Sequence, residues 1–176
     1  GKRYSQYIKG KVLPSGSIKN NFVRKENSPQ PGVIAYIGMW RSCSSYLVNQ
    51  LWVSFEDWCK RPETIIIQCL KHYARENDKR LMIIPNNKLS EDLLRKEKEY
   101  FRELMGIEPE FFEASGPYTS YQAVDSAEVV VSIDSTLGYE SIARGKKTAI
   151  FPIRSTLLDL PDLAFGWPVD YPNEGP

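Results

Sequence analysis

The stretch that decides the fold runs Asp125-Ser-Ala-Glu-Val-Val-Val-Ser-Ile-Asp-Ser-Thr-Leu-Gly-Tyr-Glu-Ser-Ile-Ala-Arg-Gly-Lys-Lys-Thr-Ala-Ile-Phe-Pro152. An apolar run, Val129 to Ile133, breaks into a turn of small polar residues, Asp134-Ser135-Thr136. The turn opens into a helical pattern that reaches Arg144, with Gly145 as its C′ residue, and a second apolar run follows from Thr148 to Phe151. Apolar runs without strict alternation suit parallel strands buried on both faces. Two such strands joined by a helix form a right-handed crossover unit.

Working outward, the same rhythm recurs. Val33–Ile37, Leu81–Ile84 and Glu110–Phe112 are three further apolar runs. Ile66, Cys69, Leu70 and Tyr73 fall at i, i+3, i+4 and i+7, which predicts a helix over about Glu63 to Glu76. Ser90 is a natural N-cap, with Leu89 and Leu94 placed as a hydrophobic staple and Gly106 as the stop. Ser120 is read as the cap of a short helix through Val124 to Ala127. In the interval Gly38 to Pro62, Leu47, Leu51, Phe55 and Trp58 recur at spacings of four, four and three, which predicts one more helix. Strands alternating with helices define an α/β, Rossmann-like doubly wound domain with a mostly parallel sheet, placed at residues 31–152. Residues 1–30, with Gly10, Pro14, Gly16, Pro29, Pro31 and Gly32, read as a weakly packed lead-in segment or interdomain linker with at most a short strand near Lys11 to Leu13. Residues 153–176 read as an irregular tail.

The 176 residues carry 23 Lys and Arg against 22 Asp and Glu, with 41% hydrophobic residues, which excludes a disordered or fibrous chain. Seven basic residues and one acid in 1–30 make a basic arm, read as a linker or cleft edge rather than a nucleic-acid contact. No run approaches the roughly 18 apolar residues of a membrane span, and no apolar run follows the N-terminal Gly-Lys-Arg-Tyr as in a signal peptide. A cytoplasmic location is therefore expected. Cys43, Cys59 and Cys69 lack metal-ligand spacing, and the single histidine, His72, lies beside the apolar stripe of its helix, far in sequence from the turn at Asp134.

Function is sought at that turn. Free N–H groups and the positive end of a helix attract an anion, to which the hydroxyls of Ser135 and Thr136 add donors; simple helix capping is the competing account. Glu140, about one turn further on, is placed to accept both hydroxyls of a ribose whose phosphates rest on the helix end, or only to complement the dipole. Gly38-Met-Trp-Arg-Ser42 follows the first strand, so Arg41 and Ser42 face the turn across the carboxyl ends of the strands. Tyr118, after the third strand, offers an aromatic surface for a base, with loop packing as the alternative.

The set Ser135-Thr136, Glu140, then Gly145-Lys146 before another strand resembles the donor-binding segment of GT-B glycosyltransferases. Similar segments occur in the lipid II-forming N-acetylglucosaminyltransferase, in Kdo and capsule transferases and in UDP-N-acetylglucosamine 2-epimerases. Ser132-Ile-Asp-Ser-Thr-Leu-Gly-Tyr-Glu140 and Phe165-Gly-Trp-Pro168 most resemble bacterial surface-carbohydrate biosynthesis transferases. The resemblance is carried by residues 116–168 and is architectural elsewhere. It implies one half of a GT-B enzyme, with Ser135 and Thr136 at the nucleotide phosphate and Glu140 at the ribose. Its partners would be a nucleotide-sugar donor, a glycan or lipid-linked acceptor and a second half that supplies the general base, with a peripheral contact at the inner membrane face. No Asp-x-Asp occurs in the chain, so no metal or other cofactor is expected. Thr136-Leu137 stands where the epimerases favour Gly-Gly, which disfavours the nucleotide-sugar 2-epimerase alternative. A non-catalytic flavodoxin-like module is the other.

Overall fold

The computed structural model describes residues 17–25, 29–48, 51–86, 90–113, 116 and 118–159. The strand expected near Lys11, the Leu89 end of the staple, and the chain from Leu160 onward, with Phe165–Pro168, lie outside them. Five parallel strands form the central sheet: β1 (Val33–Ile37), β4 (Arg80–Ile84), β5 (Glu110–Phe111), β6 (Val129–Ser132) and β7 (Lys147–Ile150), in the order β5-β4-β1-β6-β7. The chain builds outward from β1 to β5, then returns to pair β6 with the other side of β1. This is the doubly wound arrangement that the apolar runs imply.

Helices cover both faces, which is why β1 is buried at all five positions. On one face Ile34, Tyr36, Ile83 and Val131 pack against α2 (Arg61–Glu76) and α3 (Glu91–Met105), through Ile67, Leu70, Phe101 and Leu104. On the other, Val33, Ala35, Ile37 and Val130 meet Ala123 and Val124 of α4 (Thr119–Ser126) and Leu137 of α5 (Thr136–Ala143). Each fully buried aliphatic side chain contributes about 1.5–3 kcal/mol. Capping follows the sequence at α3, where the Ser90 hydroxyl accepts from the Leu93 amide and Gly106 closes the helix at φ 64°. Ser120 is not a cap: α4 starts one residue earlier, after Tyr118. Gly138 lets α5 lie close to β6, since a Cβ there would stand 2.9 Å from Ser132 Cβ.

Three sequence expectations are corrected. The helix expected through Leu47 and Leu51 is an antiparallel hairpin, β2 (Ser45–Val48) and β3 (Leu51–Ser54), followed by a π-helical turn, Glu56–Lys60. Tyr46 and Val53, paired across the hairpin, pack with Val48 on Trp58 and Cys59, while Leu47 and Trp52, also paired, point outward. Period-two alternation with aromatic and β-branched residues prevails over the period-four coincidence. Downstream, the segment read as irregular begins with a helix, α6 (Ile153–Leu157), because Ile153 joins the core on the α2 side. Upstream, the lead-in read with at most a short strand carries a short helix, α1 (Ile18–Phe22), which buries none of its residues; Ser17 and Asn20 are hydrogen-bonded to Glu140 and Arg144 at α5.

Two buried carboxylates support the loops at the carboxyl end of the sheet. Glu63 accepts hydrogen bonds from the Met39 amide at 2.9 Å and from the hydroxyls of Tyr36 and Tyr100 at 3.0 and 2.8 Å. Glu97 accepts from the Asn86 amide at 2.8 Å, and Asn86 Nδ2 reaches the Trp40 carbonyl at 3.3 Å. Burial raises the Glu63 carboxyl from its usual range to about 7, against the pull of its three donors. A carboxyl that holds its proton more tightly when folded stabilises the fold fully below about pH 4.5, and that contribution is lost as pH rises to about 7. The expected slope is negative across this window, at most about 1.4 kcal/mol per pH unit. Glu63→Gln, which keeps an acceptor for Met39, should remove it; urea unfolding of both proteins from pH 4.5 to 7.5 checks this, and an unchanged slope would count against a protonated Glu63.

Candidate functional site

Strand order reverses between β1 and β6, and the carboxyl ends of two such strands are where sheets of this type hold a ligand crevice. From β1 come Gly38 to Arg41. A Cβ on Gly38 would stand 3.1 Å from Glu97 Oε1 and the Phe101 ring, so this loop rests directly on α3. From β6 come Ile133 to Thr136. The Ser135 amide donates to Ser132 Oγ at 3.0 Å, and Ser135 Oγ accepts from the Leu137 amide at 3.3 Å, so Ser135 is the N-cap of α5. A serine hydroxyl that accepts in this way keeps its own hydrogen to donate. Thr136, the first residue of α5, is exposed.

Arg154 of α6 ties the two sides together. Only 2% exposed, it donates from Nε to the Trp58 carbonyl at 2.6 Å, pairs with the Asp134 carboxylate and reaches Met39 Sδ at 3.5 Å. Its guanidinium stacks 4.3 Å from the centre of the Trp58 ring. Burial pushes the Asp134 carboxyl up, while the positive fields of Arg154 and Arg41 pull it down. Arg41 itself is exposed, on the loop after β1.

Glu140 sits one turn along α5, on the side of α4. Its carboxylate accepts from Tyr121 OH at 2.8 Å on one oxygen and from Ser17 Oγ on the other. Ser42 is exposed beside Arg41, and Tyr118 is half exposed at the cap position of α4. The structure thus places Ser135 and Thr136 directly after Asp134 at the start of α5, leaves Arg41 exposed on the loop after β1, and sets Glu140 between α4 and α5. His72 is solvated, 3.1 Å from Glu76, on the half of α2 that runs away from the crevice. A recess of about 670 Å³ at the amino ends of the strands includes Lys71, Arg75 and Lys79. Its cations already have work: Lys71 donates to the Met105 carbonyl at the end of α3, and Lys79 pairs with Glu128.

Sequence reasoning missed Arg154, Asp134, Glu63 and Glu97. Each carried a signal: a charged residue inside an apolar stripe or directly after a buried strand. Glu63 leads the stripe of Ile66, Ile67 and Leu70, Glu97 that of Tyr100, Phe101 and Leu104, and Arg154 stands in Phe151-Pro-Ile-Arg.

The fold defines an α/β domain whose parallel sheet has a topological switch point between β1 and β6. Over residues 1–176 the chain matches the model of a family described as "putative O-antigen biosynthesis protein", and it belongs to that family. No curated protein matches it. The family places the chain in surface-carbohydrate biosynthesis. Among the described residues no helix is long and apolar enough to cross a membrane.

Removing Arg154 strands the Asp134 carboxylate in a site where it is nearly buried. Arg154→Met is expected to cost about 3–5 kcal/mol, the range for breaking a buried ion pair from one side. Adding Asp134→Asn should recover part of that loss by removing the orphaned charge. Guanidinium chloride unfolding of the parent, single and double variants measures both; a single variant within 1 kcal/mol of the parent would show that Arg154 does not hold the crevice.

Proposed function

We propose that the crevice binds the nucleotide of a nucleotide-sugar, and that the protein is the donor-binding half of a GT-B-type glycosyltransferase of O-antigen assembly. One observation carries this reading: the reversal of strand order sets Arg41 and the amino end of α5 on opposite sides of one crevice, with the buried Arg154 neutralising Asp134 between them. The family description supports the biosynthetic context. In the reaction an acceptor hydroxyl displaces the nucleotide from the anomeric carbon, and negative charge grows on the leaving phosphate. The α5 amides, Thr136 and Arg41 stabilise that charge where it develops. Arg154 and Asp134 position the turn. The acceptor site and the general base belong to a second half, so this domain alone binds donor and scarcely turns it over. Leu47 and Trp52, exposed on the hairpin that follows the β1 loop, support a peripheral contact with an apolar surface at the cytoplasmic face.

Calorimetric titration with UDP, CMP, GDP and ADP, first in EDTA and then in magnesium, tests the reading. At least one nucleotide should bind in EDTA, since cations and a helix end take the place of a metal. Arg41→Ala should weaken it about tenfold to a hundredfold, the value of roughly 1.5–3 kcal/mol for a hydrogen bond to a charged group. Thr136→Val should weaken the nucleotide and leave the free nucleoside unaffected. Failure of all four nucleotides to bind under either condition would remove the proposal, and a strict need for magnesium would remove its metal-independent form.

A further inference from the structure

Residues 17–25 are fastened to the domain by polar contacts. Helix α1 buries none of its residues, and Ile18 and Phe22 point outward. Two anchors hold it. At one end Arg144 of α5, locked by its buried ion pair with Asp125, donates to Asn20 Oδ1 at 2.7 Å, to the Val23 carbonyl at 3.2 Å and to the Arg24 carbonyl at 3.3 Å. At the other end the Ser17 hydroxyl donates to Glu140. The two anchors differ in kind. Arg144 is saturated by a buried carboxylate and three strap acceptors, whereas Glu140 holds one hydroxyl on each oxygen, Ser17 and Tyr121. Two hydroxyls shared between the two oxygens of one carboxylate is the arrangement that a vicinal diol reproduces.

We infer that residues 17–25 form a latch on the nucleotide site, in which the Ser17 hydroxyl occupies the place of a ligand hydroxyl on Glu140 and is displaced when a ribose enters. This rests on the proposed binding of a nucleotide in the crevice. The strap stays tethered at Arg144 while its Ser17 end lifts, so the cost of opening is one part-buried hydrogen bond and the cap of a short helix. Tyr121 stays on the second oxygen, whose other lone pair takes the second ribose hydroxyl, and orients the carboxylate, which makes it a positioning residue.

The experiment compares the parent with Ser17→Ala and Ser17→Asp, using the nucleoside diphosphate that binds the parent and its 2′-deoxy analogue, or all four common diphosphates where the parent binds none. Ser17 also caps α1 by accepting from the Asn20 amide. Ser17→Asp keeps that cap yet cannot donate to Glu140, so it separates latch release from helix unravelling. Both variants should bind the ribonucleotide about threefold to tenfold more tightly than the parent, the size of a weak hydrogen bond removed from competition. The deoxy analogue should show no such gain. Hydrogen exchange at the amides of residues 18–24 should speed up when the ribonucleotide is added to the parent. Unchanged or weaker binding by both variants, or slower exchange on nucleotide addition, overturns the latch and leaves the site standing. If parent and variants alike bind no nucleotide, the site falls and the latch with it; binding by the variants alone is the strongest form of support.

Discussion

A guanidinium with almost no access to water organises the carboxyl end of this sheet. Arg154 comes from the short helix after the last strand, yet its partners belong to the π-helical turn, the β6–α5 turn and the loop after β1. A buried cation is costly unless its fork of donors and its face are all used, and here they are: one carboxylate, one carbonyl, one sulfur and one indole ring. That requirement fixes three loops relative to one another. A residue outside the β6–α5 turn thereby sets where that turn stands against the loop after β1.

Beneath the same loops lie Glu63 and Glu97, and the division of labour between charge signs is physical. Loops that follow parallel strands leave backbone N–H groups at the carboxyl edge, and such donors need acceptors when water is excluded. Met39 and Asn86 find theirs in carboxylates carried up by helices on one face of the sheet. These acceptors lie beneath the loops that the Arg154 guanidinium ties together.

The architecture was legible in the sequence because buried parallel strands leave a signal that nothing else imitates: Val33–Ile37 and Val129–Ile133 are apolar at nearly every position. The end of α3 at Gly106 was legible for the same local reason, since its φ of 64° favours glycine. The hairpin was not, because Leu47, Leu51, Phe55 and Trp58 happen to share a helical spacing, and only the partner beneath them, the Trp58 and Cys59 cluster, decides between the two periods. The turn at Asp134 could be found from strand-to-helix composition, and Arg41 from its place after β1. For Arg154, Glu63 and Glu97 the local pattern shows at most a charge on or beside an apolar stripe, while the partners that fix their roles lie 11 to 24 positions away or more. Glu140 was found by spacing, but its partner Ser17 lies 123 residues away.

The three tryptophans among the described residues occupy three optical environments. Trp58 is 8% exposed beneath a cation, Trp40 is half-buried, and Trp52 is 73% exposed on the outer face of the hairpin. Emission from Trp52 comes from an indole in contact with water and lies to the red, open to iodide or acrylamide, while Trp58 emits to the blue and is shielded. The hairpin face therefore carries its own reporter. A membrane, detergent or protein settling on Leu47 and Trp52 shifts and protects the red component alone, and a ligand entering the crevice without touching the hairpin leaves it where it was.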